Sequence, residues 1–382
     1  METLRPETPE ALAEALASAA REGKSIRAGG AFSKEAFGGP LAPADVAVST
    51  GALNHVVQYD PRDLTISVEA GVRYSELSRV LAENRQELPL DPPLGATATV
   101  GGVIASNLCG PRRRLYGTAR DLVIGMKFAT VAGKVVETGG MVVKNVAGLD
   151  VGKLMIGSCG TLAVLTVVNF RLHAAPPANR TLLLNFDTAE GAIQARDKLL
   201  KSVLQPAAVD ILNPAAAARV GRTGFLLAIQ AGGSPAVIDR YSRELEGAAA
   251  MEGAEEAEFW LRVRDFAPEW LAANPLGAVA RVSTTMTDIK PVLEGAKAPV
   301  VARAGSGVSY VAFESAREAA EWVQEASVAR GWKAVVEWAA PVAKESLDLW
   351  PAPGSDLEVM KSVKQMFDPL HLLNKGRLYG RL

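Results

Sequence analysis

Apolar and polar positions follow two regimes along the chain, first broken by glycine and then regular. At the start, Thr8 is placed to cap a helix whose first position is Pro9, and ALAEALASAA continues with strong helix formers as far as Gly23. A short strand, SIRA, runs into Gly29 and Gly30. DVAVST and LTISVEAGV read as further strands, with Asp60-Pro61 marking a turn between them. SELSRVLAENRQ puts Leu77, Val80 and Leu81 on one helical face and stops before Pro89. From Asp91 to Gly117 the periodicity gives way to small residues, DPPLGATATVGGVIASNLCGPRRRLYG. VIGMKFATV and KVVETGG then form a pair of strands about Ala132-Gly133, followed by a short helix in DVGKLMIGS and the strand LAVLTVVNFRL.

Pro176 and Pro177 interrupt regular structure and mark a boundary. Beyond them, strand-like TLLLNF, AAVDIL, FLLAIQ, AVARVS and AVVEWAA are interspersed with helical EGAIQARDKLLKS, VIDRYSRELEGA and SAREAAEWVQEASVAR, and VVARAGSGVSYVAF reads as a hairpin. This is the pattern of an α+β domain with a mostly antiparallel sheet and helices on one face. The chain then continues as a helix over VMKSVKQMF and a tail punctuated by proline and glycine. The division expected is 1–175, a smaller α+β domain over 176–360, and a tail over 361–382.

Composition narrows the classes. A length of 382 residues calls for more than one core, and a formal net charge of −1 offers no general attraction for nucleic acid or an anionic membrane. Arg112-Arg113-Arg114 reads as a solvated loop. Cys109 and Cys159 form no CxxC pair, which argues against a disulfide framework, a zinc site or an iron–sulfur cluster. His55, His173 and His371 share no ligand spacing, so no metal centre is expected. METLRPETPE lacks the apolar core of a signal peptide, and LAVLTVVNF is too short to span a bilayer, so a cytoplasmic setting is expected.

There is no GxxxxGK[ST] loop, and no GxGxxG opens a helix after the first strand, so a P-loop and a Rossmann fold both fail. Instead, two glycine-rich loops, Arg27–Ser33 and Gly95–Gly110, fall in one domain. Glycine lets successive amides point into one concavity and lets a diphosphate approach without a Cβ in the way. Either loop alone is read as a tight turn. The pair, without a catalytic lysine, points to a tightly held dinucleotide.

The string PPLGATATVGGVIASNLCGPRRRLYGTARDLVIG, followed by GGMVVKNVAGLDVGKLMIGSCGTLAVLT and the terminal DPLHLLNKGRLY, resembles the PCMH-type flavin domain of the vanillyl-alcohol oxidase superfamily. Within it, the chain is most similar to the glycolate oxidase FAD-binding subunits. The resemblance implies an α+β fold in which a PCMH-type FAD-binding domain carries a smaller cap and the tail returns to the flavin domain. It implies FAD contacts, chiefly through backbone amides, at Arg27, Ala28, Gly29, Gly30, Ala31, Phe32 and Ser33. It assigns Pro92, Gly95, Thr99, Gly101, Gly102, Ser106 and Asn107 to the second loop, and places Gly117, Thr118 and Asp121 near the diphosphate. Gly157, Gly160, Thr161 and Val164 are expected along the ribose and adenine, and Asn374 near the isoalloxazine ring.

Ala31 and Phe32 stand where covalent relatives carry a histidine, so the FAD is expected to be non-covalent. Cys109 is the nucleophile nearest the second loop in sequence, and no flavin thioether is expected there. Cys159 replaces an acidic residue of the larger-subunit relatives, Ala163 a glycine, and Lys375 the proline of the tail. The histidine-rich metal centre of catalytic relatives has no counterpart, and no catalytic base is assigned. Arg303 and Glu337 are read as sheet or surface positions, and Trp332, Trp338 and Trp350 as core.

The resemblance implies a subunit of a glycolate (2-hydroxy acid) oxidase or dehydrogenase complex, holding a flavin for redox chemistry or electron relay. The partners implied are a larger FAD-containing subunit and an iron–sulfur subunit, with a small 2-hydroxy acid as substrate. Any membrane association is expected through those partners. The alternatives are an autonomous flavin-dependent hydroxy-acid or alcohol oxidoreductase and a scaffold with a vestigial flavin site. A reductase acting on a UDP-sugar would need a serine–glutamate acid pair that the second domain lacks.

Overall fold

The first helix forms where capping chemistry and an apolar stripe coincide. Thr8 is extended and its hydroxyl accepts from Ala11 N at 3.1 Å, Pro9 begins the helix Pro9–Arg21, and Leu12, Ala13 and Leu16 are buried. The computed structural model describes residues 1–141, 150–344, 347–351, 354–378, 380 and 382. The KNVAGLD motif of the flavin-domain resemblance spans 144–150, and all of it but Asp150 lies outside the described residues. The described chain divides into two compact units.

The first unit comprises Met1–Leu108, Thr118–Ala175 and 352–382. A parallel sheet in the order Glu2–Leu4, Val46–Ser49, Ile26–Gly29 carries the first glycine loop at its edge. An antiparallel sheet follows the order Val56–Asp60, Thr65–Glu69, Val164–Arg171, Val123–Ala129, Val135–Gly139. Its central strand, Val164–Arg171, is buried at every position but the last, which is why the sequence there reads as a nearly unbroken apolar run. Glu2–Leu4 and Val56–Asp60 escape the sequence pattern because they are short edge strands, with Val57 57% exposed. The parallel sheet and the first helix share a core of Leu12, Leu16, Ile26, Val48 and Leu53, which Leu372 and Leu373 of the returning segment complete.

That return is anchored by a buried ion pair. Lys364, on the helix Asp356–Phe367, donates to Asp368 Oδ2 at 2.5 Å, to Thr161 O at 2.7 Å and to Leu373 O at 3.2 Å. Asp368 also accepts from the amides of Leu372 and Leu373 at 3.1 and 2.8 Å. Each charge therefore has several partners, the condition under which burial of an ion pair is tolerated.

The second unit comprises Cys109–Gly117 and Pro176–Pro351. The division after Ala175 is where the sequence suggests it, whereas Cys109–Gly117 groups with the later residues and the return begins at 352 instead of 361. Its sheet is antiparallel, in the order Ala249–Met251, Ala178–Phe186, Phe225–Gly233, Ala208–Leu212, Val300–Arg303, Val308–Phe313, Ala278–Ser283, Lys333–Ala339. One face packs Ile211, Ile229, Ala280, Val300 and Val311 against the helices Ala189–Lys201, Ile289–Gly295 and Ala316–Arg330. The other face carries Asp210, Arg303, Tyr310 and Arg281 among buried apolar residues such as Leu183, Leu212, Leu226 and Val301. Trp332, Trp338 and Trp350 are buried in this unit, as the sequence suggests.

Candidate functional site

A concavity of the first unit lies where its glycine loops meet. The segment Arg27–Glu35 follows the strand Ile26–Gly29, and the turn at Thr99 begins the helix Val100–Ser106. Cys159–Leu165 and the returning Asn374 and Arg377 complete the lining. The empty space, open mouth included, is about 830 Å³, within the range of small-molecule and cofactor sites.

Glycine is required here because the loops touch. A Cβ on Gly30 would lie 2.1 Å from Thr99 Oγ1, and one on Gly160, whose φ is +70°, would lie 2.7 Å from Asn374 Nδ2. Asn374, itself at φ +42°, locks the first and last segments together. Its Oδ1 accepts from Ala28 N at 2.9 Å, and its Nδ2 donates to Ala28 O at 3.0 Å and to Cys159 O at 2.8 Å. The amides of Ala31, Phe32 and Ser33, residues of the lining, find no acceptor among the described residues.

Cations surround these donors. Arg27 pairs with Glu35 and stands 5.3 Å from the centre of the Phe32 ring. The Arg377 guanidinium donates only to carbonyls, those of Lys34 at 3.0 Å, Glu35 at 3.3 Å and Phe37. Lys34 is 8% exposed and lines the same wall. Burial pushes its ammonium down to about 8, with Arg377 adding to the shift and Cys159 opposing it.

Of the residues expected at a flavin, Arg27, Ala28, Gly29, Gly30, Ala31, Phe32, Ser33, Thr99, Gly101, Gly102, Ser106, Gly160, Val164 and Asn374 line this pocket. The others lie outside its lining and have structural work. Pro92 and Gly95 are buried in the turn beside Tyr74, and Asn107 ends a helix at φ +51°. Gly117 belongs to the second unit and ends the helix Arg113–Tyr116. Thr118 and Asp121 form a capping box on Ala119–Leu122, with the Thr118 amide donating to Asp121 Oδ2 at 2.8 Å. Gly157 turns at φ +82°, and Thr161 is buried as an acceptor of Lys364.

The lining also contains Lys34, Glu35, Phe37, Leu41, Thr50, Ala105, Leu165 and Arg377, which motif matching does not single out, and the two motif departures Cys159 and Ala163. Adjacency was the available signal: Lys34 and Glu35 follow the first loop, and Arg377 lies three residues beyond Asn374. Cys109, the thiol nearest the second loop in sequence, belongs to the second unit, whereas Cys159 lines the pocket.

A family described as an FAD binding domain matches residues 3–139. The glycolate oxidase subunit GlcE of Escherichia coli (strain K12) is 39% identical over 152 residues, covering 40% of this chain and 42% of that one. Subunit GlcD of Bacillus subtilis (strain 168) is 24% identical over 377 residues, covering 86% of this chain and 78% of the relative. A solved structure of alkyldihydroxyacetonephosphate synthase superposes with a TM-score of 0.73 at 18% identity, over 97% of this chain and 76% of that one. Residues 3–139 thus match an FAD binding domain, and the fold of the chain is that of the superposed synthase. The cofactor of this chain is FAD.

The pocket fits that dinucleotide. Its lining includes Gly29, Gly30, Gly101 and Gly102, and its cations Arg27, Lys34 and Arg377 outnumber the carboxylate of Glu35. These are the features an uncharged ligand would not need and a diphosphate would. The expected PCMH-type α+β architecture is found, with mostly antiparallel sheets. Among the described residues no group of acidic, histidine or cysteine side chains is arranged to hold a metal, and no helix is long and apolar enough to cross a membrane.

The second face of the second unit's sheet gathers titratable groups of its own. Arg303 makes a buried ion pair with Asp210, donates to Val263 O at 3.2 Å and stacks 5.3 Å from the centre of the Tyr310 ring. Arg281 is registered opposite Tyr310 and donates to Glu337 Oε1 at 2.7 Å. Glu337 is the extra residue of a β-bulge, and its buried Oε2 has no hydrogen-bond partner among the described residues. Burial and then Glu337 push the Tyr310 hydroxyl up, against Arg303, Arg281 and Arg113. Arg303 and Glu337 thus occupy sheet positions, as the sequence suggests, on one shared face.

Proposed function

We propose that this chain is the FAD-binding subunit of a 2-hydroxy-acid oxidoreductase complex of the glycolate oxidase type, holding a non-covalent flavin. The convergence of segments 27–35, 99–106, 159–165 and 374–377 on one donor-rich pocket carries this reading. The match to a glycolate oxidase subunit supports the type of complex, although the chain spans less than half of that relative's length. Bound FAD supplies a two-electron acceptor. The residues of this chain hold it: amides of the first loop and nearby cations face its anionic groups, while Asn374 keeps the opposing loops in register.

In this reading the larger FAD-containing subunit performs the substrate chemistry, an iron–sulfur subunit takes the electrons onward, and the assembly is cytoplasmic. The test is an absorption spectrum of the purified chain and of the supernatant after acid precipitation, followed by reconstitution with the two partners and glycolate. Flavin released by acid, with glycolate-dependent dye reduction only in the full assembly, is the expected result. Flavin retained in the pellet would point to covalent attachment, for which Cys159 is the pocket's nucleophile. A colourless chain that still assembles would favour the scaffold.

The Tyr310 cluster favours one other reading, an autonomous oxidoreductase. Arginine suits a carboxylate, and a tyrosine beside a buried carboxylate suits proton transfer from a hydroxyl. Turnover of 2-hydroxy acids by the isolated chain, abolished in Y310F and E337Q, would establish it. Inactivity of the isolated chain with FAD bound would end it.

A further inference from the structure

We infer that Lys34 is the residue that receives an anionic group of the bound dinucleotide. This rests on the FAD reading of the pocket. The side chain is 8% exposed, lines the cavity, and has no hydrogen-bond or ion-pair partner among the described residues. A Cβ on Gly102 would come within 3.7 Å of its Nζ, so the ammonium lies over the bare backbone of the second loop.

The other buried lysine of this unit shows what is missing. Lys364 has a carboxylate and two carbonyls around it. Lys34 has none of these, and an unpaired buried ammonium destabilises a fold unless something else supplies the negative charge. The neighbours cannot. Glu35 is engaged by Arg27, and the charged or titratable groups that act on Lys34 are the Arg377 guanidinium, a like charge, and the Cys159 thiol. The site is therefore short of one anion, in a cavity that the first glycine loop also lines.

Two anionic groups of the cofactor answer this description, the diphosphate and the reduced isoalloxazine ring. The pH dependence is common to both. Lys34 loses its proton above about 8 in the ligand-free protein, so its contribution to anion binding is present below that value and fades above it. Removing the charge should also relieve the ligand-free fold, so the same change is expected to stabilise the empty protein and weaken the filled one.

The test uses the full chain stripped of flavin, titrated with oxidised FAD, ADP and riboflavin in the wild type, K34M and K34R. Melting temperatures of the empty proteins and midpoint potentials of the filled ones accompany it. If the diphosphate is the partner, K34M binds FAD and ADP at least about tenfold more weakly, a loss of the size expected for a charged hydrogen bond. Riboflavin affinity stays level, K34R retains most of the binding, and the alkaline loss seen in the wild type disappears in K34M. If the reduced ring is the partner, FAD and ADP affinities hold while the potential falls by about 30 mV for each tenfold loss in binding of the two-electron reduced form. Unchanged affinities and potential in K34M would overturn the inference. So would an equal loss of all three ligands with a lowered melting temperature, which marks a structural lysine. A wild type that binds neither FAD nor riboflavin would overturn the cofactor reading itself.

Discussion

The two units use opposite means to build a polar site. In the first, the pocket is made by leaving side chains out: glycines bring the loops that line it into contact. In the second, the polar cluster is made by putting charges in, with Arg303, Asp210, Arg281, Glu337 and Tyr310 standing on neighbouring strands. A backbone site tolerates little change of shape, because a single Cβ collides with the facing loop. A side-chain site tolerates changes of shape and is sensitive to charge, because each group is held in place by its counter-ion.

The largest effect that would sharpen this contrast is expected at Asp210. D210A leaves Arg303 buried without its carboxylate and should cost about 3–5 kcal/mol, read as a lower urea midpoint. The FAD affinity of the protein that remains folded should be unchanged; a parallel loss of flavin would break the comparison. G30A comes next. It forces Thr99 aside at an expected cost of about 1–3 kcal/mol, and flavin binding should fail in protein that still unfolds cooperatively. Full FAD binding by G30A would mean that the loops can part without consequence.

E256Q is a smaller and pH-dependent test. Burial pushes the Glu256 carboxyl up, against hydrogen bonds from Thr181 at 2.9 Å and Gln230 at 3.4 Å. A carboxyl whose folded value is raised contributes stability below its unfolded value and loses it as pH rises through the folded one. E256Q should therefore stabilise the protein at neutral pH, and its advantage should vanish in acid. A variant equally stable relative to wild type at both pH values would mean that the carboxyl is not strained. Smallest is T8A, which removes the cap of Pro9–Arg21 and should cost about 1 kcal/mol without touching either polar site.

Legibility in the sequence follows the same divide. The glycine loops could be read because a backbone site leaves a composition: Gly29-Gly30 and Gly101-Gly102 stand out, and Thr99 precedes the second pair. The cap of the first helix and the buried Val164–Arg171 strand are equally plain, since local propensity and burial agree there. Lys34, Cys159 and Arg377 could not be read as a cluster, because only the fold brings them to one wall. Thr118 and Asp121 sit within a motif, yet their side chains serve a helix end. The polar cluster of the sheet stayed hidden because its members are single residues on five strands, set in register by pairing across the sheet.

Asn374 carries a consequence in time. It clasps Ala28 across a separation of 346 residues, and its amide also reaches Cys159. A chain emerging from the ribosome therefore displays the glycine loops long before it can close them. The cofactor should be captured only after synthesis has passed Asn374, and a nascent chain stalled before that point should hold no flavin, however complete its first 175 residues.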